Sequence, residues 1–333
     1  MEFVQLIIDE ILGFLRISQA WEVVTSGNLA AFATWDGLRA LLIPLIPLLV
    51  LLELVLGLIH RKPQMRVYKV NFLIYVFNRL VGRVISLGMV VICIGLFQPY
   101  APFQTSLTWY WFIYAYIVWE FGHFIYHYLA HKIRLLWCLH STHHAPEDMN
   151  LSVTYAHFFL EGPYADIIRT TVCILLGVQP ELLLIIMFID GTYGAFIHVG
   201  ENMIRNARFG ILEKIMLTPS HHRVHHARNP LYMDTNFCNL LPIWDRVFRT
   251  YQEEQTKVTI EYGISRPVDS GNFLDVYFGE FRYLARDLLN APGWRNKLRY
   301  LIMPPGWHHS GAHRTATRIR NDYLSGSASV DIS

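Results

Sequence analysis

Twelve of the chain's 16 histidines fall between His123 and His226, and their spacing is that of a metal site. His123, His127 and His131 recur every four residues, which lays them along one helical face with a drift of about 40° per step. Neighbours at i and i+4 can grip one metal ion between them. Two further groups, His140-Ser-Thr-His143-His144 and His222-Arg-Val-His225-His226, share the pattern HxxHH. In a helix its first and second histidines lie about one turn apart, with the adjacent third rotated by about 100°. One such box can therefore reach two ions at once. His221 precedes the second box, and His198 stands alone between the two.

A tetrahedral zinc site uses about four ligands, so this many imidazoles points to two ions. Imidazole suits iron, zinc, copper and nickel alike, and residue type alone leaves the metal open. His60, His157, His308, His309 and His313, taken singly, read as packing or surface histidines. Among the acids, Glu147, Asp148, Glu161, Asp190, Glu201, Asp234 and Asp245 are candidates to accept the outward N–H of a metal-bound ring and fix its tautomer. Asp190 and Asp245, embedded among apolar neighbours, are the favoured two. Glu120 lies one turn before His123, where a carboxylate near a membrane is costly unless paired.

The elements that must hold these groups are apolar. The chain has 333 residues, 53% of them hydrophobic and only 16% charged, against about a quarter charged in a typical soluble protein. The net charge of +2 excludes a nucleic-acid binder driven by a bulk basic field. Cys93, Cys138, Cys173 and Cys238 are isolated and form no disulfide framework or CxxC site. Apolar runs at about 40–58, 84–97, 107–128, 167–176 and 182–197 predict an all-α fold with about four or five spanning or re-entrant membrane helices. The last two runs, split at Val178-Gln179-Pro180, read as a helical hairpin. Met1 to Arg16 reads as a short amphipathic helix.

Basic residues follow the first, third and fifth runs, as in Arg61-Lys62, Lys132 with Arg134, and Arg205 with Arg208, whereas the 98–108 link has none. The positive-inside rule then puts every histidine group on the cytoplasmic face, carried by a helical cap. The expected organisation is one membrane-embedded domain, 1–320, with its histidine boxes within 119–263, and a disordered tail, 321–333.

Taken together, HxxxH, HxxHH and HxxHH in that order, with an apolar hairpin between the last two boxes, resemble the fatty acid hydroxylase/sterol desaturase superfamily. The strings His140-Ser-Thr-His143-His144-Ala-Pro-Glu147-Asp148 and Thr218-Pro-Ser-His221-His222-Arg-Val-His225-His226, with Ile243-Trp-Asp245-Arg-Val-Phe248, are similar to the alkylglycerol monooxygenase-like branch, bacterial members included. The resemblance implies His127, His131, His140, His143, His144, His198, His222, His225 and His226 as ligands. It leaves His123 as an extra and His221 as a ligand or supporting group, while His157, Asp190 and Asp245 remain, from their own sequence settings, candidate additional or supporting groups.

It also implies a di-iron oxygenase that hydroxylates an unactivated C–H bond of a lipid (ether lipid, fatty acyl chain, aminolipid head group or sterol). Zinc is able to replace the iron in purified protein. No dinucleotide fingerprint is present, so electrons are expected from a separate donor protein or a reduced pterin such as tetrahydrobiopterin, used in that branch. A bacterial inner membrane is favoured over an endoplasmic reticulum. The competing readings are a desaturase with the same site, a membrane zinc hydrolase and a metal-binding or transport protein. The absence of HExxH, and the position of the boxes at the ends of apolar runs, weigh against the last two.

Overall fold

The computed structural model describes residues 25–26, 34–60, 64–81 and 83–326. The expected helix at Met1–Arg16 lies outside them, as do residues 327–333 of the expected tail. Packing divides the chain into two compact units, 1–63 and 64–333. Within the described residues the first holds one long helix, α1 (Trp35–His60).

The second unit is helical, and its only described β-pairing is an isolated bridge between Ala227 and Tyr262. Its helices are α2 (Met65–Val81), α3 (Arg83–Phe97), α4 (Trp109–Lys132), α5 (Arg134–His144), α6 (Glu161–Leu175), α7 (Pro180–Phe196), α8 (Pro219–His225), α9 (Ile243–Val247), α10 (Phe273–Asn290), α11 (Gly293–Ile302) and α12 (Ala316–Leu324). α12 carries helix into the segment expected to be tail. The two apolar runs form consecutive helices: α6 ends at Leu175, Gly177 makes the turn with a φ of +80° that suits glycine, and Pro180 opens α7.

α4, α6 and α7 share the largest core, built on Ala115, Trp119, Ile174, Leu182, Leu183 and Ile186. α4 and α6 approach closely because residue 122 is glycine. A Cβ there would lie 3.0 Å from the Arg169 backbone. At the end of α4, Ile133 turns extended before α5 restarts. That one-residue break folds the HxxHH helix back along the HxxxH helix. α5 is braced from behind by α10 and α11 through Cys138, Leu284, Ala291 and Tyr300.

The expected membrane spans are not matched. Among the described residues, no helix is long and apolar enough to cross a membrane. α3 and α7 have 15 and 17 residues, about 22–26 Å at a 1.5 Å rise, short of a hydrocarbon core of about 30 Å. α4 is longer, but from Glu120 onward it carries that carboxylate, three histidines and Lys132.

Candidate metal centre

The nine histidines singled out above come together as two groups. His127, His131, His140, His144 and His225 form one, and His143, His198, His222 and His226 the other; within each, the ring nitrogens lie within 4.8 Å of one another. The groups adjoin, with the rings of His144 and His226 stacked at 4.4 Å. Each HxxHH box is divided between them. The i, i+4 pair stays together (His140 with His144, His222 with His226), and the middle histidine crosses over. The helical period explains this: residues four apart differ by about 40° in direction and residues three apart by about 60° to the other side. The first and third members therefore pair, not the first and second.

Whether these groups fit a metal follows from their hydrogen bonds. His127 Nδ1 donates to the Phe237 carbonyl at 2.9 Å, and His140 Nδ1 to Glu161 Oε1 at 2.6 Å. Each ring thereby turns a bare Nε2 lone pair inward, and the two Nε2 atoms face each other 3.0 Å apart. His225 Nδ1 donates to the Thr235 carbonyl at 2.8 Å, leaving a buried Nε2 with no partner, as is His131 Nε2. In the second group His198 Nδ1 donates to Gly194 at 2.6 Å. Its bare Nε2 faces those of His222 at 2.8 Å and His143 at 3.2 Å.

Converging lone pairs repel, and a cation among them turns the repulsion into chelation. Nitrogens about 3.0 Å apart are what metal–nitrogen bonds of about 2.1 Å at right angles produce. Burial, aided by the neighbouring imidazoles, pushes the ring pKa values down: His131 to about 4, His198 to about 3, and His127, His143, His144, His222, His225 and His226 well below 6.5. The rings are neutral donors at physiological pH, as metal binding requires. The donor set fits two transition-metal ions.

The supporting groups are not those the sequence favoured. Glu161, 21 residues from His140 in sequence, is the main one: it takes His140 on one oxygen and His157 on the other at 2.9 Å. Burial raises its pKa, but the two imidazoles prevail and hold it at about 2. Its place four residues after His157 was the available signal. His157 itself stacks on His143 at 4.2 Å. Asp234, ion-paired with Lys132, lies 3.5 Å from His131 Nδ1.

Asp245 touches no histidine. It accepts the Phe237 and Cys238 amides, each at 2.8 Å, and the Thr250 hydroxyl at 2.6 Å. By that grip it fixes the loop whose Thr235 and Phe237 carbonyls hold His225 and His127. Asp190 lies 3.7 Å from His123, a ring outside both groups, and binds the Asn239 side chain at 2.8 Å. His221 is also outside them. Its Nδ1 meets Thr218 in the capping box of α8 and its Nε2 meets Tyr251. Glu120 accepts the amides of Asn239, Leu240 and Leu241. Glu147 and Asp148 meet Arg66 and Asn150, while Glu201 is exposed.

Residues 112–250 match the family model described as fatty acid hydroxylase. The alkylglycerol monooxygenase of Homo sapiens is 32% identical over 206 residues, 62% of this chain and 44% of that protein. That of Caenorhabditis elegans is 27% identical over 218 residues, 62% of this chain and 41% of that one. The ornithine lipid hydroxylase OlsE of Rhizobium tropici is 28% identical over 155 residues, 46% of each chain. The chain thus spans less than half the length of these curated relatives, and no solved structure matches it.

Proposed function

Starting from the match of residues 112–250 to the fatty acid hydroxylase family model, we propose that this protein is a di-iron monooxygenase that hydroxylates a C–H bond of a membrane lipid. The observation that carries the reading is the pair of adjoining groups of tautomer-locked imidazoles, with their bare nitrogens turned on one another. His127, His131, His140, His144 and His225 would hold one ion, and His143, His198, His222 and His226 the other. A bound pair of iron ions supplies activation of O₂ at a site that also receives electrons from outside the chain.

The protein's own residues do the rest. Glu161 and the Thr235, Phe237 and Gly194 carbonyls keep protons off the inward nitrogens by fixing the outward ones. Burial favours the neutral, metal-binding form of His127, His131, His143, His144, His198, His222, His225 and His226.

Ether lipids and aminolipids are the substrate classes the relatives' names suggest. The site faces the cytoplasm if the positive-inside pattern holds, and the reductant is a separate protein or a reduced pterin. The test is metal analysis of protein grown with iron, together with lipid mass spectrometry of cells with and without the gene. Two irons per chain, and one lipid class gaining the mass of one oxygen, support the proposal. One zinc per chain with no O₂ consumed overturns it, and a loss of two hydrogens in place of the gain points to a desaturase.

A further inference from the structure

On the side of α5 away from the metal centre lies a short helix whose outer face is exposed among the described residues. α11 is held by one side only. Tyr300 and Ala291 pack with Cys138 of α5 and Leu284 of α10. The Tyr300 hydroxyl pairs with His309 Nδ1 at 2.9 Å, and the Met303 carbonyl accepts the amide of Arg134, the first residue of α5, at 3.0 Å. These anchors fix the rotation of α11 and turn Trp294, Leu298 and Ile302 outward at 70%, 48% and 52% exposure, next to Leu289 at 80%.

At about 100° per residue the three side chains of α11 fall within an arc of about 80°. Lys297 flanks that arc on one side, and Arg295 and Arg299 flank it on the other. None of these three, nor Arg286 one turn before Leu289, lies within ion-pair distance of a carboxylate among the described residues. Arg295 instead rests over the ring of Trp294 at 5.6 Å.

An exposed tryptophan-and-leucine stripe bordered by unpaired cations is the pattern of a helix that lies in a lipid interface: the apolar stripe enters the acyl boundary and the cations meet anionic head groups. We propose that α11, with the end of α10, is a docking surface for an anionic lipid bilayer. Because α11 braces the helix that carries His140, His143 and His144, this contact would fix the orientation of the metal centre against the bilayer. The inference concerns binding alone and does not depend on the metal or on turnover.

The test uses the full-length chain in nanodiscs of phosphatidylcholine, with or without a third of phosphatidylglycerol, carrying an environment-sensitive fluorophore on Leu298→Cys. The four native cysteines are buried, so labelling is selective. A blue shift and loss of iodide quenching in the anionic discs, both reversed by Arg295→Gln, Lys297→Gln and Arg299→Gln together, support the proposal. Leu289→Cys gives the same reading from α10 should the first label disturb α11. A probe equally wet in both lipids overturns it, as does shielding that the triple variant leaves intact. Shielding that appears only on adding an acidic soluble protein also overturns it.

Discussion

The two histidine groups are alike in residue type and unlike in how they are held. In the first, His127, His140 and His225 donate their outward nitrogens to a carbonyl or carboxylate, and His131 faces Asp234. In the second, only His198 has such an acceptor among the described residues. His143 Nδ1 is buried without a partner, and its ring is steadied by stacking on His157. The first group is preorganised by hydrogen bonds and the second by packing, so the second should adapt its geometry and release its ion more readily. Outer partners of this kind typically change metal affinity 10–100-fold.

The sharpest way to break this contrast is to remove one ligand from each side. His140→Ala should cost one metal equivalent, His222→Ala the other, and each should reduce O₂-dependent lipid oxidation to background. Metal analysis of both variants checks this, and loss of both ions from either would mean that the groups act as one site. Next in size is Asp245→Ala. Three donors lose a buried acceptor, at a cost of roughly 2–4 kcal/mol, and the melting temperature falls by several degrees while the second group keeps its ion.

Glu161→Gln should weaken binding at the first group by about 10–100-fold, read by competition with a chelator, and should move the second group much less. An equal loss at both would show that His157 transmits the change to His143. The smallest expected effect is kinetic. Chelation of the loaded wild-type protein should be biphasic, and His143→Gln should speed only the fast phase.

The contrast also marks what could be read in the sequence. The nine histidines were legible because HxxxH and HxxHH are local patterns, and helical geometry alone puts their members on neighbouring faces. Their division into five and four was not, since it depends on how α4, α5 and α8 meet. Glu161 was one name among seven acids, because its reach to His140 is set by the packing of α6 on α4. Asp245 was rightly read as buried and wrongly read as a histidine partner; an apolar neighbourhood indicates burial but not the partner. The fold class followed from the apolar runs. A run's hydropathy does not by itself say whether its side chains face lipid or one another.

The loop gripped by Asp245 has a consequence for how the site is assembled. His140 finds Glu161 within 21 residues of chain, whereas His127 must wait for Phe237 across 110. Closing the longer loop costs about 1.5 kcal/mol more in chain entropy. During synthesis the α5–α6 half of the centre can therefore form while the other half is still unmade, and the last contacts to close are those of the loop after α8. An ion bound at that point ties the two halves together. A chain made under transition-metal starvation should keep its helical hairpin and lose its grip on residues 227–263, so limited proteolysis there reports whether a metal arrived before folding was complete.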